Sequence, residues 1–164
     1  MKIKLNKALH ILGISLVLIL SVILSACSGA PKVDWELSIA GEVENPTVFT
    51  FEELVSLPQV DLNDILMEKS RGENEIRTFS GVEIGLILEL TGAPDDISSI
   101  TAIAADGYAI EITPDELTDG IVALKDGGDW IVNVEPDAGP IRLVFPGTPS
   151  NRWVFQVNEI IVNP

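Results

Sequence analysis

Hydrophobic positions along this chain change period several times, and each change marks an element. In "WELSIAG" Trp35, Leu37 and Ile39 alternate with Glu36 and Ser38, the period of a half-buried strand. "FTFEELVSL" follows with helical spacing. Thr50 and Glu53 stand as a capping box, Phe49 and Leu54 as a hydrophobic staple, and Pro58 stops the helix. "DLNDILMEKSRGENEIRTFSG" reads as two strands joined by a polar turn over Arg71 to Asn74. Ser80 and Glu83 have the spacing of a second capping box, ahead of a helix through "IGLILELTG" that ends at Gly92 before Pro94. "SITAIAA" and "YAIEI" are strands around an Asp106-Gly107 turn, and Thr113-Pro114 starts one helical turn. "GIVALK", "DWIVNV", "GPIRLVF" and "RWVFQVNEIIV" are read as further strands. No period of 20 to 50 residues recurs, which excludes a solenoid or propeller. Many short strands with two or three short helices predict an α+β, mainly β domain.

The N-terminus has a different pattern. Lys2, Lys4 and Lys7 precede an apolar run from Ile11 to Ile23 and then "LSAC", the layout of a signal peptide rather than a spanning helix. Leu24-Ser25-Ala26-Cys27 resembles the bacterial lipobox, in which the cysteine is acylated and becomes the new N-terminus. The alternative is a plain secretory peptide cut after Ala26. Acyl chains on Cys27 would hold the domain to the outer face of a cell membrane, each buried methylene contributing about 0.8 kcal/mol. The expected organisation is a signal peptide over 1–26, a lipidated cysteine and tether over 27–34, and one domain over 35–164.

Charge and missing residue types narrow the chemistry. The chain's net charge is −15, and loss of the three N-terminal lysines brings it to −18. Such a chain is no nucleic-acid binder and does not dock directly on anionic headgroups. The acidity suits solubility at a charged envelope, or a basic partner protein. His10 and Cys27 are the only histidine and cysteine, so residues 28–164 contain neither. Hydrolase triads built on histidine, typical zinc sites and disulfides are thereby excluded. The acidic pairs Glu52-Glu53, Asp95-Asp96 and Asp115-Glu116 sit at helix starts or turns, where negative charge favours the helix dipole.

Five stretches in order carry a family likeness. "ELSIAGEVENPTVFTFEELVSLP", "FSGVEIGLILELTGAP", "DGYAIEITPDEL", "ALKDGGDW" and "DAGPIRLVFPGTPSNR" resemble successive segments of the sulfite oxidase family's molybdopterin-binding domain. The likeness covers residues 35–163 and implies that family's fold of mixed short strands. It places Arg142 and Arg152 on the family's two arginines around a Pro-Gly turn. Arg152 would then contact an anionic group such as the pterin phosphate; the bland alternative is a surface salt bridge. Arg142 would face solvent or pair with a carboxylate. Tyr108 and Asp106, at the Asp106-Gly107 turn, and Asn151 complete the candidate ligand-binding set. An unpaired Arg152 is expected at a cleft with the Asp106–Tyr108 turn. Asp126-Gly127-Gly128-Asp129 reads as a hairpin turn rather than a calcium loop, and Trp130 and Trp153 as packing residues or as platforms for a flat ligand.

The departures weigh as much as the likeness. The family's molybdenum-ligating cysteine is expected between the first helix and "FSGV", and residues 59–79 hold no cysteine. The family's Cys-x-Gly-Asn-Arg block is missing too. The chain resembles small relatives without the metal ligand, so no catalytic residue and no metal are expected, and molybdopterin enters by resemblance only. Three readings stay open: a module binding a small anionic or aromatic ligand or a partner protein; a molybdopterin-binding oxidoreductase or electron-transfer component; and a structural adaptor in an envelope complex. An open arginine-lined cleft would favour the first and a filled one the third.

Overall fold

A computed structural model of the chain describes residues 29–164; the expected signal peptide and Cys27 lie outside them. Residues 31–164 form one unit built on two sheets. The first has the order β2–β1–β11–β5–β6, from β1 (Glu36–Gly41), β2 (Thr47–Thr50), β5 (Ser99–Ala104), β6 (Ala109–Ile112) and β11 (Val157–Asn163). Only β1 and β11 run parallel in it. The second is antiparallel, in the order β10–β9–β7–β4–β3. It is built from β3 (Val60–Met67), β4 (Glu75–Glu83), β7 (Ile121–Asp126), β9 (Arg142–Val144) and β10 (Val154–Phe155), with β8 (Asp129–Trp130) also on β7. Four short helices accompany them: α1 (Phe51–Ser56), α2 (Ile84–Thr91), α3 (Pro114–Leu117) and α4 (Ile131–Val134).

One apolar cluster draws on both sheets. It takes Leu37 and Ile39 from β1, Phe51 and Leu54 from α1, Ile84 and Ile87 from α2, and Ile160 and Val162 from β11. In β7 the four residues Ile121 to Leu124 are all buried. Their unbroken apolar run therefore marks a strand covered on both faces, where an alternating run marks one covered on a single face. Trp153 is a packing residue: its ring stands edge-on to Phe79 at 5.6 Å, and its indole N–H donates to the Phe145 carbonyl at 3.0 Å. Trp130 packs edge-on against Phe51 and carries Lys125 over its ring at 4.5 Å.

The expected fold class holds, and so do most of the elements. Thr50 and Glu53 form the reciprocal capping box of α1, and α2 ends at Gly92 in the left-handed region. Asp126 and Asp129 pair across a two-residue turn whose glycines both have positive φ, the requirement of a tight hairpin. Three elements differ. The Ser80–Glu83 capping box does not form, because β4 runs on through Ser80 to Glu83 against β7. Gly81 makes that possible at a bulge: a Cβ there would stand 2.1 Å from the Val122 carbonyl oxygen. "DWIVNV" is strand only at Asp129–Trp130 and then coils as α4, followed by a 3₁₀ turn over Pro136–Ala138. "RWVFQVNEIIV" breaks at Gln156 (φ 50°), which sends β10 to one sheet and β11 to the other.

Candidate functional site

The two arginines singled out from the sequence occupy different environments. Arg142 lies on β9, between β7 and β10, opposite Ala123 on one side and Phe155 on the other. It is fully buried. Its Nη2 donates to Glu135 Oε2 at 2.5 Å, and its Nη1 lies 3.8 Å from Asp126 Oδ2, too far for a hydrogen bond. Its Nε and Nη1 have no hydrogen-bond partner in the protein. The guanidinium stands 4.3 Å from the Phe155 ring centre and 5.4 Å from that of Phe79. Of the two placements expected for Arg142, the carboxylate partner is observed. The solvent-facing one is wrong: Arg142 is fully buried, with Glu135 on its Nη2 and the Phe155 and Phe79 rings against its guanidinium.

A second arginine joins this centre. Arg77 on β4 donates through Nε to Asp126 Oδ1 at 3.1 Å, through Nη2 to Asp126 Oδ2 and to Glu135 Oε1, and through Nη1 to Glu75 Oε2 at 2.9 Å. Glu75 also accepts from Lys69 Nζ. Glu135 therefore bridges two guanidinium groups that come from different strands. Burial pushes its carboxyl upward, but the hydrogen bonds from Arg142 and Arg77 outweigh that and hold it below the usual carboxylate range. Hydrogen bonds to Asp126 raise the pKa of Arg77, while burial lowers that of Arg142 against the pull of Glu135.

Arg152 closes the 3₁₀ turn Ser150–Arg152. It is not the unpaired cation expected there. Its Nε and Nη2 take Glu116 Oε1 and Oε2, both at 2.7 Å, in a side-on fork, and Nη2 also donates to the Glu111 carbonyl at 2.6 Å. Glu116 is itself pinned. Its Oε2 accepts from the Thr113 N–H at 3.0 Å and from the Thr113 hydroxyl at 3.1 Å. The Arg152 hydrogen bonds, and then those from Thr113, bring its pKa down to about 2. The correction has a simple physical cause. The α3 turn presents a carboxylate within reach of the fork, and Glu116 fills it.

The remaining candidates stay at the surface. Asp106 Oδ1 accepts from the Tyr108 N–H at 2.9 Å and shapes its own turn. Tyr108 is exposed. Asn151 is exposed in the 3₁₀ turn. Two open cavities in the described residues are lined by other side chains. One of about 360 Å³ touches Asp34, Trp35, Glu36, Ala105 and Asn158; one of about 550 Å³ touches Glu42 to Glu44 and Gly92 to Pro94. Arg77 and Glu135 were not singled out from the sequence, and Asp126 and Glu116 were read only as a turn residue and a helix-start residue. For Glu116 a signal existed: Thr113-x-x-Glu116 is itself a capping-box pattern.

Comparison with known proteins gives one consistent picture. The model of the family described as "Oxidoreductase molybdopterin binding domain" matches residues 27–164. An NADH nitrate reductase of Volvox carteri is 26% identical over 171 aligned positions, covering 81% of this chain but only 19% of that protein. The sulfane dehydrogenase SoxCD of Paracoccus pantotrophus superposes with a TM-score of 0.71 at 24% identity, covering 83% of this chain and 40% of that one. The chain thus spans less than half the length of each relative, and at that identity the structural match speaks for the fold.

Proposed function

Because this chain belongs to the oxidoreductase molybdopterin-binding domain family, we propose that it is a non-catalytic member working as a protein-binding module, held by acylated Cys27 at the outer face of a cell membrane. The single observation that carries this is the Glu116–Arg152 fork. The side chain best placed to take an anionic ligand already holds a carboxylate fixed by two further hydrogen bonds.

The donor set points the same way. A molybdenum centre in this family requires a soft thiolate from the protein, and residues 28–164 contain no cysteine and no histidine. The stretch in which the ligand is expected is the β3–β4 hairpin, whose side chains offer carboxylates, hydroxyls, amides, a thioether, one amine and two guanidinium groups. The residues present do not fit the cofactor, and the filled fork favours an adaptor over a small-ligand binder.

Elemental analysis of protein matured in its own host tests this reading. The expected result is no stoichiometric molybdenum or tungsten and no oxidation of sulfite; about one such atom per chain would overturn it. The anchor is tested separately by Cys27→Ser, which should move the protein from the membrane to the soluble fraction. A variant that stays membrane-bound would refute lipidation.

A further inference from the structure

We infer that the outer face of the β3–β4 hairpin is the docking surface, and that its occupant is a partner protein's extended segment carrying basic and apolar residues. The inference rests on the partner-binding reading above. β3 ends the second sheet, so its outer edge carries no strand partner among the described residues. Leu66 and Ile76 lie directly opposite each other across the hairpin and are 44% and 60% exposed. Their neighbours in register, Ile65 with Arg77 and Met67 with Glu75, put their side chains on the other face. A cross-strand apolar pair thus stands in water at an end of this sheet where a strand could be added.

Charge selects the occupant. Asp61, Asp64, Glu68 and Glu73 are exposed along the same hairpin. Of the nearby cations, Lys69 is tied to Glu75, and Arg77 to Glu75, Asp126 and Glu135, which leaves Arg71 in the turn. A second copy of this chain would bring those carboxylates against their own kind, so self-pairing is repelled. A segment that alternates Lys or Arg with apolar residues would meet both the apolar pair and the acidic frame. The bulge at Asn63–Asp64, with Asp64 at φ 52°, guards the first half of the edge and leaves Ile65–Met67 as the regular part.

The hairpin is also held in place before any partner arrives. Beneath it, Arg77 is clamped by Asp126 and Glu135. At its tip the Lys69 N–H donates to Asn74 Oδ1 at 3.1 Å, and Ser150 donates to the Glu68 carbonyl through both N–H (3.0 Å) and hydroxyl (2.6 Å). A surface ordered in advance loses little entropy on binding.

The test is site-specific photocrosslinking of the full chain in its own host. A photoreactive residue is placed at 66 or 76 and, for comparison, at the exposed apolar positions 48, 90 and 108. The expected result is one protein captured from 66 and 76 and not from the other three, with Lys and Arg outnumbering Asp and Glu in the captured peptide. In addition, Leu66→Lys should weaken capture from 76 by about tenfold, as like charges replace an apolar contact, while Leu90→Lys leaves it unchanged. Capture only from 48, 90 or 108 would overturn this surface and leave the partner-binding reading standing. Capture from none of the five would sink both. A second copy of this chain, or an acidic peptide, at 66 and 76 would also overturn the inference.

Discussion

Removing Glu135 should destabilise the protein more than removing the buried arginine it serves. In Glu135→Ala, Arg77 keeps Asp126 and Glu75, but Arg142 is left fully buried with a single ion pair at 3.8 Å and no hydrogen bond. Breaking one side of a buried ion pair costs about 3–5 kcal/mol. Glu135 is 36% exposed, so water can reach the gap and screening trims the expectation to about 2 kcal/mol. In Arg142→Met one charged hydrogen bond and a cation–π contact of about 1 kcal/mol are lost. Two buried donors without partners disappear with them, and each such group is unfavourable by about 1–3 kcal/mol. The two effects nearly cancel, to within about 1 kcal/mol.

The decisive quantity is the double variant. With no buried cation left to strand, Glu135→Ala combined with Arg142→Met should be more stable than Glu135→Ala alone, a coupling of at least about 1 kcal/mol. Urea unfolding read by tryptophan fluorescence measures it, since Trp153 packs on Phe79 directly beneath Arg142. The pH dependence carries a sign of its own. The folded pKa of Glu135 is lowered, so its contribution is complete above the ordinary carboxylate value of 4.5 and is lost as pH falls through the folded value. The gap between wild type and Glu135→Ala should therefore narrow only below that pH. Simple additivity in the double variant, or a gap that widens in acid, would refute the reasoning.

Two further perturbations probe other parts of the molecule. Glu116→Gln should lower stability by about 1 kcal/mol after solvent screening; with a folded pKa of about 2 against an ordinary 4.5, the difference from wild type should hold above pH 4.5 and shrink as pH falls through about 2 in an acid-unfolding series. Gly81→Ala should destabilise by about 3 kcal/mol or more in thermal unfolding, because its Cβ would stand 2.1 Å from the Val122 carbonyl oxygen and 2.7 Å from Ala123 Cα.

Elements governed by neighbours in sequence were legible, and those governed by distant backbone were not. The Thr50–Glu53 box, the stop at Gly92 and the Gly127-Gly128 turn are each closed by residues within four positions of one another. The false box at Ser80 and Glu83 has equally good local chemistry. It loses because pairing with β7 keeps Ser80 in the strand, a contact some forty residues away. Gln156 is harder still. It occupies the left-handed region without being glycine, and it is held there by long-range hydrogen bonds: its N–H donates to the Ala138 carbonyl, its side-chain amide to the Asp137 carbonyl, and its own carbonyl accepts from Ala105. Nothing in "FQV" announces that corner.

The arginines show why a site is harder to read than a fold. In a domain of charge −18, carboxylates far outnumber cations, so composition alone cannot separate an arginine that waits for a ligand from one that is already paired. The distinction lies in geometry fixed by other elements. Arg152 is closed because a four-residue helix, set by Thr113 and Pro114, lifts Glu116 into its fork. Arg142 is closed because α4, read from the sequence as part of a strand, and the 3₁₀ turn after it hold Glu135 where its Oε2 accepts from Arg142 Nη2. Had "DWIVNV" continued as a strand, its pleat would have carried Glu135 onward along the sheet instead of back over Arg142. One misread helix thus concealed which carboxylate would partner Arg142, though that it would have one was legible.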